Sequence, residues 1–371
     1  MKVLHCVAGK LYGGVESFLE TLAACRDITP NVEHEFAVCF EGRLSRELER
    51  EGAAPHRLGE VRFGRPWTAW RARRRLAGLL RRRDIGVVAT HGCWAQALCG
   101  RSAKQAGRPL VFWMHDMIHG SHWVDRLAAR VEPDLVLVNS LATAETLPRL
   151  YPQAPYQVLR YPVRGGAVDR REARETIRAE MDVSTSEVII VAACRLERWK
   201  GHALLIEALG RLKEKAGWTA WIAGGVQRPH EQVYLAELMA AAKVAGIEGR
   251  VRFLGQREDV PKVLAAADIH CQPNTGPEPF GIAFVEALQA GLPVLTTRMG
   301  GAVEIVTEAC GILVPPGDAV ALAEACLRLI DEPALRNRLG AAGPARAAEI
   351  CGPGVVLPRL ETVLSSLTSN G

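Results

Sequence analysis

Two short stretches of the chain concentrate residues that could do chemistry. The first is NTGPEPFGIAFVEALQAGLPV, Asn274 to Val294, which holds two carboxylates, Glu278 and Glu286. Pro277 and Pro279 stiffen the backbone around Glu278, because each proline fixes φ and removes a donor. Phe280 and Gly281 open a helix that Gly291 ends. Glu286 falls about five residues into it, so roughly 8 Å along the axis at about 1.5 Å per residue. The amides from Phe280 through Gly281 and Ile282 to Ala283 stand at the helix start, where the dipole and unpaired donors attract a phosphate. One elongated ligand could touch all three features: a sugar at Glu278, phosphates at the helix start, a ribose diol at Glu286. Taken singly, a helical glutamate is a solvated side chain; one held between two prolines is harder to read that way. The second stretch is RLERWKG, Arg195 to Gly201. It follows the apolar run VIIVAAC and precedes a helix, so Arg195 and Lys200 are cations at the carboxyl end of a strand, where open α/β sheets bind ligands.

EPFGIAFVE resembles the E-x7-E motif of retaining GT-B glycosyltransferases, and Arg195, Lys200 and Gly201 resemble its R-x4-K-G partner. Together they resemble glycosyltransferase family 4, and the likeness covers nearly the whole chain. It implies an α/β fold of two Rossmann-like parallel-sheet domains facing across a cleft, the GT-B fold. It implies transfer of a hexose from a nucleotide-diphosphate sugar, with retention, to a hydroxyl of a glycan, lipid-linked or small-molecule acceptor. Glu278 would position sugar hydroxyls and Glu286 the ribose. Many glycosyltransferases neutralise the leaving diphosphate with a metal held by Asp-x-Asp, but the sequence has no D-x-D. Arg195, Lys200 and the helix start would supply that charge instead, so neither a metal nor another cofactor is expected. Fixed charges aimed at developing charge are often the largest catalytic contribution.

These motifs need strands and turns to hold them. VLHCVA, HEFAVCF, IGVVATHG, LVFWMHD, DLVLVNS and YQVLRYP read as strands of a first domain. VIIVAAC, TAWIAGG, RVRFLG, IHCQPN, LPVLTT and GILVPP read as strands of a second. Near-continuous apolar runs suit a parallel sheet covered on both faces. The boundary is expected near Val163: residues 1–163 as an acceptor domain, 164–349 as a donor domain, and a tail helix over about 350–371 packing back on the first. In the loop GKLYGGVES, Gly13 and Gly14 open a helix. Its spacing does not fit G-x-G-x-x-G, so a dinucleotide site is not expected; by resemblance Gly14 would meet the donor. His91 and His115–Asp116 sit where strands meet loops. By resemblance His115 lies beside the donor sugar as a catalytic residue, while His91 and Asp116 would meet the acceptor. Asn139 and Ser140 read first as a helix cap. Gly224 could meet the diphosphate and Gln256 the base. Gly300 and Gly301 resemble a phosphate-side turn. All of these glycines also serve as ordinary turn residues.

The 371 residues suggest two domains. The ten cysteines show no C-x-x-C and no Cys/His metal spacing, and read as reduced residues of a cytosolic protein. No run approaches the roughly 20 apolar residues of a membrane span. MKVLHCVAG passes from strand to glycine loop without a signal-peptide pattern. The net charge is +5, with the basic excess in the first half: residues 1–165 hold 24 Lys and Arg against 16 Asp and Glu. Seven arginines lie between Trp67 and Asp84, with Trp67, Trp70, Leu76, Leu79 and Leu80 at helical spacing. The Arg71–Arg83 segment is thus either a solvated cationic face or a surface for anionic membrane, peripheral on the inner face. Nothing resembles a nucleic-acid reading head. A UDP-sugar is the expected donor, with GDP-mannose as the alternative. Other readings are a UDP-N-acetylglucosamine 2-epimerase-like enzyme and a non-catalytic sugar-nucleotide-binding protein.

Overall fold

The computed structural model describes residues 1–10, 13–166 and 168–368. Leu11 and Tyr12 of the first glycine loop, and the last three residues of the expected tail helix, lie outside them. The chain forms two compact units, Met1–Arg164 with Cys351–Gly371, and Gly165–Ile350.

The first unit is a seven-stranded sheet of β1 (Lys2–Val7), β2 (Glu33–Val38), β3 (His56–Arg57), β4 (Ile85–His91), β5 (Leu110–Met114), β6 (Leu135–Val138) and β7 (Tyr156–Val158). Their order is β3-β2-β1-β4-β5-β6-β7, and every pairing is parallel. The central strands are buried almost throughout, as a sheet covered by helices on both faces requires. One covering helix, Gly92–Gln105, has no counterpart in the sequence reading, because its small residues and low polarity contrast gave no clear helical stripe. The tail helix Pro353–Ser366 belongs to this unit. Glu361 accepts the Asn31 amide at 2.8 Å, and the Val163 amide donates to the Cys351 carbonyl at 2.8 Å.

The second unit holds β8 (Val188–Ala193), β9 (Trp218–Ala223), β10 (Val251–Phe253), β11 (Ile269–Gln272), β12 (Val294–Thr297) and β13 (Gly311–Val314), ordered β10-β9-β8-β11-β12-β13 and again all parallel. Two helix limits have local causes. The helix His202–Gly210 stops at Gly210, the poorest helix former but proline, and the chain goes on as tight turns. The helix Pro229–Val244 begins at Pro229, a favoured first-turn position, where Glu231 accepts the amides of Gln227 and Arg228.

The helix Arg170–Glu180 is fastened to this sheet by a buried arginine. Asp169 caps it, accepting the amides of Arg171 and Glu172. Arg178 donates to the carbonyls of Ala266, Ser184, Thr185 and Glu187, and to Asp268 at 2.6 Å. Arg178→Ala removes all five bonds at once; Asp268 keeps Arg174 and the Ile189 amide, and the Ser184 carbonyl keeps the Glu187 amide. The expected loss is about 3–5 kcal/mol, read as a fall in melting temperature of roughly 6–20 °C; a shift within a degree would show that the clasp contributes nothing.

Candidate active site

In an open parallel sheet, ligands bind beyond the carboxyl ends of the strands where the strand order reverses, because the loops there diverge. In the second unit that point lies between β8 and β11. The loop leaving β8 is Arg195–Gly201, and the loop leaving β11 is Pro273–Gly281. The fold therefore brings the two motifs together.

Their union is close. The Lys200 ammonium donates to Glu278 Oε2 at 2.6 Å, with both residues under a tenth exposed. Gln272 Nε2 and Asn274 Nδ2 donate to the same oxygen at 3.1 and 3.0 Å. Lys200 also lies 4.1 Å from the centre of the Trp199 ring. The sequence assigned Glu278 and Lys200 to different parts of the ligand; in the structure each is the other's counter-charge. Gln272 went unnoticed because its role depends on β11 ending beside Glu278.

Two glycines hold the loops in contact. Gly201 has φ +80°, and a Cβ there would lie 1.8 Å from the Pro273 carbonyl oxygen. Any other side chain would drive the Lys200 loop off the Glu278 loop. The Thr275 amide donates to the Trp199 carbonyl at 2.8 Å and ties the same pair. Gly300 has φ +60°, and a Cβ there would fall 2.3 Å from the Glu278 carbonyl oxygen. Gly301 donates its amide to that oxygen at 2.7 Å. The Gly300–Gly301 turn thus supports the Glu278 loop from behind.

Arg195 is partly exposed, and its guanidinium meets Glu197 at 3.0 Å. The central helix runs Ile282–Gln289, with Gly281 as its N-cap at φ +111°. It starts one to two residues later than expected, since Gly281 takes a left-handed conformation and Phe280 turns into the core. Ile282 and Ala283 present first-turn amides that lie ahead of the helix's own acceptors, whereas the Phe284 amide already donates to the Gly281 carbonyl at 3.0 Å. Glu286 is the fifth residue of that helix. Among the described residues its carboxylate has no partner, and burial pushes its pKa up to about 7. Gly224 follows β9 directly, packed against the Cys194 carbonyl, and Gln256 is exposed beyond β10.

In the first unit Gly13 caps the helix Gly14–Ala24, and its amide donates to Glu16 at 3.0 Å. Gly14 is exposed. Asp116 is also exposed, whereas His91 and His115 are buried. Both ring nitrogens of each histidine are engaged within the unit. His91 Nδ1 meets His115 Nε2 at 2.8 Å, His91 Nε2 meets His5 Nδ1 at 2.9 Å, and His115 Nδ1 meets the Tyr161 hydroxyl. Asn139 donates to the His115 carbonyl and to Tyr161, and accepts from Thr143, while Ser140 caps the following turn.

This arrangement, two parallel-sheet units with buried charges at the switch point of the second, defines a GT-B sugar-transferring enzyme. The family models agree: Glycosyl transferases group 1 matches residues 173–346, and Glycosyltransferase Family 4 matches residues 12–162. The chain belongs to this family and is a nucleotide-sugar-dependent glycosyltransferase. The GDP-mannose-dependent monoacylated alpha-(1-6)-phosphatidylinositol monomannoside mannosyltransferase of Corynebacterium glutamicum is 27% identical over 95% of this chain and 94% of its own length. The phosphatidyl-myo-inositol mannosyltransferase of Mycobacterium leprae is 37% identical over a stretch that is 35% of either chain. The crystal structure of Anabaena Alr3699/HepE in complex with UDP and glucose aligns over 99% of this chain and 100% of that one, with TM-score 0.84 and 25% identity.

Proposed function

We propose that the chain moves a hexose from a UDP-sugar to a hydroxyl of a lipid-linked or glycan acceptor, with retention and without a metal. The observation that carries the reading is the buried Lys200–Glu278 pair at the switch point of the second sheet, with Arg195 on the same loop as Lys200. In this reading the second unit receives the donor. Lys200 turns from Glu278 toward the diphosphate as negative charge builds on it, and Arg195 offers a planar fork to the same phosphates. Glu278 is then released to the sugar hydroxyls. The first-turn amides after Gly281 add partial positive charge, Glu286 takes the ribose diol, and the backbone near Gln256 meets the base. The first unit, with Asp116 at an exposed loop, receives the acceptor. Retention follows a front-face course, in which the departing phosphate takes the acceptor proton.

A uridine donor is supported by the likeness to the Anabaena structure, which carries UDP and glucose. The second reading is GDP-mannose, favoured by the Corynebacterium relative aligned over nearly the whole chain. Thermal unfolding with UDP, GDP and ADP tests both. A nucleotide that binds the folded state raises the melting temperature, by about 2.7 kcal/mol of stability at 100 times its Kd. UDP is expected to do so; a response to GDP alone would move the assignment to the second reading, and no response to any would contradict both.

In this reading the acceptor lies at an anionic membrane surface, on its cytoplasmic side. Among the described residues no helix is long and apolar enough to cross a membrane. The helix Pro66–Arg82 instead presents Trp67 and Trp70, 57% and 58% exposed, among its arginines. Exposed indoles beside cations suit the headgroup boundary. Replacing both with serine is expected to weaken cosedimentation with anionic phospholipid vesicles by about tenfold or more, at about 25 cal/mol per Å² of apolar surface withdrawn. Unchanged cosedimentation would leave that helix a solvated face.

A further inference from the structure

Four histidines of the first unit form one unbroken row. Thr29 Oγ1 meets His34 Nε2 at 3.2 Å, and His34 Nδ1 meets His5 Nε2 at 2.9 Å. His5 Nδ1 meets His91 Nε2 at 2.9 Å, and His91 Nδ1 meets His115 Nε2 at 2.8 Å. The row reaches Tyr161, whose hydroxyl meets His115 Nδ1 and accepts from Asn139.

The sheet explains the alignment. His34 is on β2 in register with Val3, and His5 is two residues further along β1. His5 is level with Ala89, and His91 is two further along β4. His91 is level with Trp113, and His115 is two further on. A step of two residues per strand keeps every side chain on the same face, because strand side chains alternate. The imidazoles thus climb the sheet diagonally toward its carboxyl edge. At the lower end His34 lines a cavity of about 540 Å³ with Thr29, Glu35, His56 and Arg83. Burial holds all four imidazoles below their ordinary range, His34 at about 4 and His115 at about 3. At neutral pH each is uncharged and carries one donor and one acceptor nitrogen.

The bonds are mutually consistent when every ring is protonated on Nε2. Tyr161 then donates to His115, each ring donates to the next, and His34 donates to Thr29, whose hydroxyl can turn to the Arg26 carbonyl at 3.3 Å. Reversing every tautomer gives the opposite polarity. A row with two such states passes a proton end to end without any ring leaving its place.

We propose that this row is a proton wire joining Tyr161 and His115 to the cavity at His34, and that it takes up the proton liberated in glycosyl transfer. The source of the proton rests on the reading in the previous subsection; the wire itself does not. In transfer the acceptor O–H bond breaks as its oxygen bonds the sugar. The sugar–phosphate bond breaks with its electron pair leaving on the diphosphate, and one proton is released per turnover. The departing phosphate takes that proton first, and the row receives it at Tyr161 when the phosphate gives it up. Tyr161 passes its own proton to His115 Nδ1, each ring hands its Nε2 proton onward, and Thr29, taking the last of these, gives its hydroxyl proton to water in the cavity it lines. Once product has left and solvent reaches Tyr161, the reverse shift resets the row: the cavity returns one proton at Thr29, and Tyr161 releases one to bulk water.

The test compares wild type, His5→Phe and His34→Ala, each checked for a cooperative melt, with UDP-glucose as donor and water as acceptor. His5→Phe breaks the middle of the row; His34→Ala opens its end at the cavity. Both are expected to lower kcat by roughly 10- to 100-fold, at the low end of proton-transfer effects, with KM for UDP-glucose unchanged. Added imidazole is expected to restore His34→Ala, whose gap the cavity reaches, and not His5→Phe. A wild-type kcat in folded His5→Phe, or rescue of both variants or of neither, overturns the wire. If wild type turns over no nucleotide sugar, the functional reading fails, and nitrogen-15 spectra of the imidazoles decide the wire separately. Four neutral rings of one shared tautomer at pH 7 support it; a ring of opposite tautomer to its neighbours overturns it.

Discussion

Lys200→Ala should lower turnover of the nucleotide sugar by about 100- to 1,000-fold, the usual loss when one preorganised donor to a leaving group is removed. It should also destabilise the second unit by about 3–5 kcal/mol, because Glu278 then stays buried without its counter-charge. The two effects can be separated. In Lys200→Met with Glu278→Gln, no charge is left buried, and Gln272 and Asn274 still have a partner within reach. That double variant should regain most of the lost stability while turnover stays lost. Recovery of turnover along with stability would mean that Lys200 only holds the loop. Retained turnover in the single variant would remove it from the chemistry altogether.

Glu286→Gln should do the reverse to stability and weaken the donor. The Glu286 carboxyl is raised to about 7 by burial, against an ordinary value of 4.5. Between those values the folded chain holds a proton that the unfolded chain releases, so stability falls as pH rises through that window. Above about 7 the penalty is complete, on the order of 2–3 kcal/mol. Removing the carboxylate should therefore raise the melting temperature at pH 8 and leave it nearly unchanged at pH 4. A ribose diol donating to the ionised group would lose a charge-assisted hydrogen bond of roughly 1.5–3 kcal/mol, so nucleotide affinity should drop about 10- to 100-fold. Equal affinity in the variant would remove Glu286 from the donor site. A stability gain independent of pH would assign its effect to packing.

Why some of this was legible in the sequence, and some not, follows from which residues carry information locally. The strands around the site are short apolar runs bounded by glycine, proline and polar residues, so β8 and β11 are readable and the motif loops fall at their ends. The break between the last two helices is readable at Gly352–Pro353 because proline cannot continue a helix. Contacts set by strand order are different. The Lys200–Glu278 pair spans 78 positions and exists because β8 and β11 are neighbours. The histidine row is harder still. His91 and His115 stand out at strand ends, but His5 and His34 look like ordinary core residues until the order β2-β1-β4-β5 and its register are known. Gly201 could be seen as a glycine after a lysine; that it lies on the Pro273 carbonyl could not.

The central claim is that side chains and backbone amides, with Lys200 foremost, neutralise the leaving diphosphate. Its most direct test is the rate of UDP-glucose turnover in a chelator, compared with the rate in added magnesium or manganese. Equal rates are the predicted result, with Lys200→Ala slow in both. A reaction that stops in chelator and returns with the metal would contradict it.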